Sequence, residues 1–286
     1  MRKLNVYSED AFTFYKAMVS SKRNKASDPA YKQRMEVIEE SIEQLYDIYN
    51  DSFAGNDLQS LQPHTFTDNQ RSDLLKLYSY RNTNLQKLKI KLTTIEFNKV
   101  LNTCQCCTIG EVGSFDHIVP KEEFPEFSVN PKNLFPSCHK CNSYKNVAWR
   151  NGDARIFLNL FLDDLPKKQY LFVDVGLERD NVVKVKFYLK NVHGVNKKRF
   201  SLIESHYSNL YLLQRFEDSV DSVITSLVNG ITASSGLMKK KTIVDQIIAT
   251  STANKDFFGA NYWKSIVEIA LAETPAFVDA HFKARR

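Results

Sequence analysis

Five cysteines lie within 38 residues near the middle of the chain, and the rest of the sequence has none. Cys104 and Cys107 form one C-x-x-C pair, and Cys138 and Cys141 form a second. Each pair places two thiolates about one tight turn apart, which suits two corners of a tetrahedral zinc site. Because four thiolates leave the ion no open coordination position, the pattern predicts a structural zinc ion.

The fifth cysteine, Cys106, leaves the ligands of the first pair open. It could replace Cys104 or Cys107, but we expect it to be a small apolar side chain in the interior, since cysteine often packs in this way. A disulfide framework would spread the cysteines along the chain and is typical of exported proteins. The clustered pairs therefore favour a metal site in a reducing compartment.

Oxygen ligands, a base and a cation lie between the two pairs and just after them. The side-chain oxygens of Asp116 and Asn142 suit Mg²⁺, which keeps most of its waters when a protein binds it. The imidazole of His117 has an ordinary pKa near neutrality and can take a proton from water. Together with Lys145, this set indicates metal-assisted hydrolysis of a phosphodiester.

A short helix after the second cysteine pair would bring these groups together. We expect Ser137 to cap this helix, so that the pair lies in its first turn. His139, Asn142 and Lys145 would then share one face. For His139 we expect a solvated helix position, with a phosphate contact or a substitute zinc ligand as the alternatives.

The segment from residue 104 to residue 145 resembles the HNH endonuclease family in its four-cysteine form. The family pattern reads CxxC, DHxxP and NL.P.C..CN..K, and this chain has CQCC, DHIVP and NLFPSCHKCNSYK in the same order. The match covers about 45 of the 286 residues, and its ordered spacing makes it specific. The resemblance implies a treble-clef-like core, in which a β-hairpin and a helix surround one divalent metal ion.

The resemblance also implies a role for each matching residue. Asp116 corresponds to the metal-binding carboxylate, and His117 to the general base. Asn133 corresponds to the asparagine that holds the hairpin loop through hydrogen bonds to backbone. Asn142 corresponds to the last metal ligand, which is often histidine in other members, and Lys145 to a phosphate-contacting cation. The crowded first pair, CQCC, is where this chain departs from the pattern.

An HNH protein of this form is expected to be a nuclease that uses Mg²⁺ or Mn²⁺ for catalysis and Zn²⁺ for structure. Double-stranded DNA is the expected substrate. The alternatives are a nuclease for RNA or single strands, and a zinc-stabilised nucleic-acid-binding module without catalysis. A wider similarity, over PKEEFPEFSVNPKNLFPSC, to stand-alone HNH proteins of bacterial antiphage defence suggests an ATPase partner that activates the nuclease.

Hydrophobic periodicity predicts an α+β protein that is mainly helical, with the zinc-bound core flanked by helical regions and a small antiparallel hairpin. Thr67 and Gln70 are expected to form a capping box. The predicted elements are helices over 28–50, 67–99, 243–248, 262–271 and 275–283, one or two helices over 200–227, a loop over 51–66, and strands over 170–175 and 183–189 joined through 176–181.

These elements divide the sequence into three predicted parts. A helical N-terminal region covers residues 1–100, the nuclease core covers 101–150, and a C-terminal region with the hairpin followed by helices covers 151–286.

The charge and hydropathy of the chain are those of an ordinary globular protein. The net charge of +6 permits nucleic-acid binding without requiring it. Basic clusters lie at residues 22–25, 196–199, 239–241 and 285–286, and such clusters touch phosphates only if the fold brings them to one face. Because the sequence has neither a signal-peptide pattern nor an apolar run of membrane-spanning length, we expect a cytoplasmic protein with no membrane partner.

Overall fold

The computed structural model describes residues 1–23, 26–96, 99–178 and 182–282. About half of the chain is helical, and the described strands form short antiparallel pairs. This confirms the prediction of a mainly helical α+β protein with small hairpins. The chain divides into two compact units, Lys3–Asp163 and Asp164–Arg286, the second of which also includes Met1–Arg2. The first unit combines the N-terminal helices with the cysteine-rich segment.

The unit Lys3–Asp163 consists of helices around a central hairpin. Its helices are α1 (Ala11–Ser20), α2 (Tyr31–Val37), α3 (Glu39–Ala54), α4 (Asp68–Leu77), α5 (Thr83–Thr93) and α6 (His139–Lys145). Its strands pair as β1 (Thr94–Ile95) with β2 (Lys99–Val100), β3 (Ser114–His117) with β4 (Leu134–Ser137), and β5 (Arg150–Asn151) with β6 (Ala154–Arg155). Short 3-10 helices occur at Leu58–Ser60 and Pro125–Phe127.

The N-terminal helices are shorter than the sequence predicted. The helix expected over 28–50 is two helices, α2 and α3, and Ile38 (φ −100°, ψ 0°) lies between them as the C-cap of the first and the N-cap of the second. The expected loop over 51–66 starts late, since α3 continues to Ala54. The capping box of Thr67 and Gln70 is present at the start of α4.

The helix expected over 67–99 is also interrupted, and its end is earlier than predicted. Tyr78 has extended backbone angles (φ −73°, ψ 125°) and ends α4. Asn82 then caps α5 by accepting a hydrogen bond from the backbone N–H of Asn84. Helix α5 ends at Thr93, and residues 97 and 98 of the predicted helix lie outside the described residues.

Aromatic side chains join α3 to the loop between β3 and β4. The ring centroids of Tyr49 and Phe127 are 4.6 Å apart, and those of Tyr46 and Phe127 are 5.9 Å apart. All three side chains are buried, and each such burial contributes about 1.5–3 kcal/mol. This packing fixes the loop that carries Ser128 and Asn133.

The unit that begins at Asp164 contains the predicted second hairpin and a set of helices. Strands β7 (Leu171–Leu177) and β8 (Val183–Leu189) pair antiparallel, and residues 179–181 of their connection lie outside the described residues. The helices are α7 (Lys197–Asn209), α8 (Leu212–Glu217), α9 (Asp221–Ser234), α10 (Lys240–Phe258), α11 (Trp263–Ala272) and α12 (Pro275–His281). Residues 283–286, which include the last predicted helical residue and the last basic cluster, lie outside the described residues.

The inner face of this hairpin packs on buried aromatic residues. The rings of Phe216 and Trp263 stack with centroids 5.4 Å apart, and Phe187 of β8 meets Phe216 at 5.6 Å. Across the described residues of both units, no helix combines the length and apolar character that crossing a membrane requires.

Candidate functional site

The sulfur atoms of Cys104, Cys107, Cys138 and Cys141 converge in the interior of the first unit. They all lie within 4.8 Å of one another, and the Sγ atoms of Cys107 and Cys138 are 3.8 Å apart. A tetrahedron with zinc–sulfur bonds of about 2.3 Å has edges of about 3.8 Å. The cluster could therefore hold a structural metal ion such as zinc.

Backbone N–H groups support charge on these sulfurs. The N–H of Ile109 points at the Sγ of Cys107, and the N–H of Cys141 points at the Sγ of Cys138, each at 3.4 Å. Hydrogen bonding from the Cys104 thiol lowers the pKa of Cys138. The cluster thus favours a thiolate at Cys138, which is the form that binds a metal ion.

Cys106 is buried but does not belong to the group of four sulfurs that could share an ion. This places Cys104 and Cys107, the residues predicted from the C-x-x-C spacing, in the cluster. The N-cap of α6 was predicted at Ser137, one residue before its position in the structure. Cys138 itself caps α6, whereas Ser137 is the last residue of β4 and its Oγ lies 3.7 Å from the Sγ of Cys104.

A cleft of about 540 Å³ lies beside the cysteine cluster, and several of the predicted chemical groups line it. Strand β3 contributes Asp116 and His117, which pair with Phe135 and Leu134 of β4. Helix α6 contributes His139 and Asn142. A carboxylate, an amide and two imidazoles from separate elements therefore face one cavity. Asn133 and Lys145 are not among the lining residues of this cleft.

The orientation of His117 is fixed by its neighbours. Its Nε2 lies 2.9 Å from the carbonyl oxygen of Ser128, which can only accept a hydrogen bond. In the neutral ring Nε2 therefore carries the proton and Nδ1 carries the lone pair. The ring of Tyr78 meets that of His117 edge-on with centroids 4.8 Å apart. Burial lowers the pKa of His117 to about 4, so the ring is neutral near pH 7.

Lys145 lies beside Asp116 and is buried. Its Nζ is 3.2 Å from Oδ1 of Asp116 and donates a hydrogen bond of 2.6 Å to the carbonyl oxygen of His117. Burial raises the pKa of Asp116, and the charge of Lys145 opposes that shift. The resemblance implied a phosphate contact for Lys145, but the structure places this amine on the carboxylate and on the backbone of β3.

Asn133 holds the loop between β3 and β4 through its side-chain amide. Its Oδ1 accepts from the N–H of Val119 at 2.8 Å and from the hydroxyl of Tyr49 at 3.2 Å. Its Nδ2 donates to the carbonyl oxygens of Val119 and Phe127, at 3.0 and 3.1 Å. Three of these four bonds go to backbone atoms of the loop.

Tyr78 and Ser128 also contribute contacts to this site, and no motif in the sequence pointed to either residue. Both act through tertiary contacts, Tyr78 from the end of α4 and Ser128 through its backbone carbonyl. His139 was considered, and the structure adds that its ring packs closely against Gly113. A Cβ atom on Gly113 would lie 2.7 Å from Nε2 of His139.

Comparisons with known proteins give one short similarity. The chain is 51% identical over 37 residues to protein ea31 of Escherichia phage lambda, which amounts to 13% of this chain and 12% of the phage protein. The chain thus spans a small part of the length of that relative. No family model matches the chain, and no solved structure matches it either.

Proposed function

We propose that this protein is a divalent-metal-dependent HNH endonuclease that hydrolyses phosphodiester bonds of double-stranded DNA. The observation that carries the proposal is the common cleft of Asp116, His117 and Asn142 beside the four-cysteine cluster. A binding module has no need of an oriented base and two oxygen ligands in one cavity. The order of the sequence motifs, CxxC, DHxxP and CN..K, supports the same class.

In the proposed mechanism His117 is the general base. Because Nε2 donates to the Ser128 carbonyl, Nδ1 is the atom that takes a proton from water. Burial lowers the pKa of the ring to about 4, so the ring is neutral near pH 7 and its Nδ1 lone pair is not protonated before the reaction. The resulting hydroxide attacks phosphorus, and the 3′ oxygen leaves, so that the products carry 5′-phosphate and 3′-hydroxyl ends.

The oxygens of Asp116 and Asn142 are the proposed ligands for the catalytic cation. When bound, Mg²⁺ or Mn²⁺ would supply stabilisation of the negative charge that develops on the phosphate. Lys145 is the positioning residue for Asp116, since it lies 3.2 Å from that carboxylate rather than at the open side of the cleft. His139, with its ring in the same cleft, is the proposed phosphate contact.

We propose that the four clustered cysteines bind a structural Zn²⁺ ion. Cys138 and Cys141 lie at the start of α6, and the other two lie on the turn that precedes β3. One ion would hold the two halves of the cleft together, since β3 and α6 contribute its chemical groups. A cytoplasmic role in antiphage defence or restriction, with an ATPase partner, is the biological setting that we propose.

A plasmid-nicking assay with Mg²⁺ or Mn²⁺ tests the proposal. We expect the wild type to nick supercoiled DNA and His117→Ala to lose about 10²- to 10⁴-fold in rate, the usual contribution of a general base. His64→Ala, at an exposed histidine outside the cleft, is the matched control and should cleave normally. Equal cleavage by wild type and His117→Ala would refute the mechanism.

A substrate panel and the neighbouring gene product separate the alternatives. Cleavage of RNA or single strands in preference to duplex DNA would replace the substrate but keep the mechanism. Activity that depends on an added ATPase would support the partner. DNA binding without cleavage under all these conditions would favour the non-catalytic module.

A further inference from the structure

A basic pocket lies in the unit that begins at Asp164, far along the sequence from the cleft. It has a volume of about 580 Å³, and three of its seven lining residues, Lys167, Lys168 and Arg199, are cations, while none is acidic. Residues 166–168 form one side, and the loop before α7 forms the other. The fold thus brings the basic cluster at 196–199 next to a second pair of lysines, a convergence that the sequence could not show.

We infer that this basic pocket is a binding site for the phosphate backbone of nucleic acid. The inference rests on the proposed function, because it names a second contact with the same substrate. It adds a substrate-holding site that lies in a different unit from the proposed chemistry.

The cations of the pocket are held in place without loss of charge. The Nζ of Lys168 donates to the carbonyl oxygen of His193 at 2.8 Å, and Arg199 donates to the carbonyl oxygen of Asp164 at 2.9 Å. A carbonyl oxygen has no net charge, so both side chains keep their full positive charge. Each retains further N–H groups for an incoming anion.

The neighbouring lysines add to this charge. Lys167, Lys197 and Lys198 are exposed, and none of them forms an ion pair within residues 164–178 and 182–282. By contrast, other lysines of the unit are neutralised, such as Lys240 by Asp279 and Lys241 by Asp245. In the part of the unit that the structure describes, three cations without an ion pair therefore line the pocket, and Lys197 and Lys198 follow directly after its lining residue Asn196.

The loop that forms one wall of the pocket has a defined shape. The side chain of Asn191 accepts from the N–H of Val195 and donates to its carbonyl oxygen, both at 2.7 Å. Gly194 has a φ of +67°, and no atom lies within 4 Å of the position of a Cβ there, so the wall is open. Asn196 caps the 13-residue helix α7 at the same place, and the free N–H groups of a helix start also favour an anion.

The chemistry of the lining favours a polyanion over a small ligand. The basic residues are exposed, and the lining has no aromatic side chain that could stack on a base. Lysines act as point charges without geometric selectivity, which suits contact with successive phosphates. Such contacts give affinity that is independent of sequence and depends strongly on salt.

The test measures DNA affinity in the full-length chain with His117→Ala, so that the duplex stays intact. Fluorescence anisotropy with a labelled duplex would be recorded over a range of salt for three proteins. These are the parent, the parent with Lys167→Ala and Lys168→Ala, and the parent with Lys240→Ala and Lys241→Ala. The last is the matched control, because it removes the same charge from the same unit at lysines that are already paired.

We expect Lys167→Ala with Lys168→Ala to raise the dissociation constant at 0.1 M salt by roughly tenfold for each phosphate that the variant no longer neutralises. The slope of log affinity against log salt should become shallower by about one for each such phosphate. The control should match the parent, and unchanged melting temperatures would exclude misfolding. Equal affinities and slopes in all three proteins would overturn the inference.

The outcome is separable from that of the proposed function. Suppose that the wild type fails to nick DNA, and that only the variant with Lys167→Ala and Lys168→Ala loses duplex binding. The basic pocket is then supported as a binding site, and the nuclease mechanism is refuted. If the wild type nicks DNA and the variant with Lys167→Ala and Lys168→Ala binds DNA normally, the nuclease mechanism is supported. The proposal that the basic pocket binds phosphates is then refuted.

Discussion

The Nζ atom of Lys145 lies 3.2 Å from Oδ1 of Asp116, and both side chains are almost completely removed from solvent. Burial raises the pKa of the Asp116 carboxyl group, and the neighbouring amine opposes that shift. The same amine bonds to the backbone of His117. One lysine of α6 thus positions both of the β3 residues that the proposed reaction needs.

Replacing Lys145 by methionine should destabilise the protein by about 3–5 kcal/mol, because it leaves a buried carboxylate without its partner. Chemical denaturation of the zinc-loaded protein, without added Mg²⁺ or Mn²⁺, measures this loss. Lys145→Arg keeps the charge and should lose less. A Lys145→Met protein that unfolds at the wild-type denaturant concentration would show that the pair does not hold the site together.

Cys138→Ser should release the metal ion and unfold the segment around the cleft. Binding of a structural zinc ion is worth about 10–16 kcal/mol in small domains, which is comparable to the whole stability of a folded domain. Metal analysis and thermal melting measure the two effects. Cys106→Ser is a matched control in the same turn, because Cys106 is buried but lies outside the cluster of four. Retention of zinc by Cys138→Ser, or its loss from Cys106→Ser, would contradict the assignment of ligands.

Gly113→Ala should displace the ring of His139 with little loss of stability. The new Cβ would lie 2.7 Å from Nε2 of a side chain that is exposed and can turn away. If His139 contacts the phosphate, Gly113→Ala and His139→Ala should slow cleavage by similar factors, and the double variant should be no slower than either. Additive effects on the cleavage rate would mean that the two residues act independently.

The buried carboxyl group of Glu126 should make the stability of the folded protein depend on pH, independently of catalysis. Both of its carboxyl oxygens are buried without a hydrogen-bond partner among the described residues, and burial raises its pKa from 4.5 to about 7. The folded state therefore binds more protons than the unfolded state between these values, so its stability falls as pH rises through that window. The shift corresponds to about 3 kcal/mol.

Denaturant unfolding at pH 5 and pH 8 measures this effect. Glu126→Gln removes the ionisable group, so its stability should change less between the two pH values than that of the wild type. Glu43→Gln, at an exposed glutamate of α3, should behave as the wild type does. An unchanged pH dependence in Glu126→Gln would mean that the carboxyl group finds a partner or solvent when it ionises.

The sequence predicted the four cysteines that cluster in the structure, because the geometry of each pair is local. A C-x-x-C pair closes one turn whatever surrounds it, and the only task left to the fold was to bring two pairs together. The same holds for the capping box at Thr67, whose two hydrogen bonds span three residues. The position of Lys145 depended instead on the packing of α6 against β3, which no spacing encodes.

The breaks in the N-terminal helices could not be predicted from periodicity. The apolar spacing runs through Ile38 without a proline or glycine, so no local signal marks the point where α2 ends and α3 begins. The break after α4 had a local signal in Asn82, a good helix cap. The sequence did not show that the ring of Tyr78, whose extended backbone ends α4, lies against the ring of His117.

The motif of about 45 residues depends on contacts from helices that precede it in the sequence. Tyr49 of α3 donates to Asn133, the carbonyl oxygen of Leu74 in α4 accepts from the hydroxyl of Ser128, and Tyr78 covers His117. If residues 104–145 were grafted into another protein, these three contacts would be lost. The ring of His117 would then no longer be held in one orientation. A design that grafts this cleft onto another protein should therefore include α3, α4 and Tyr78.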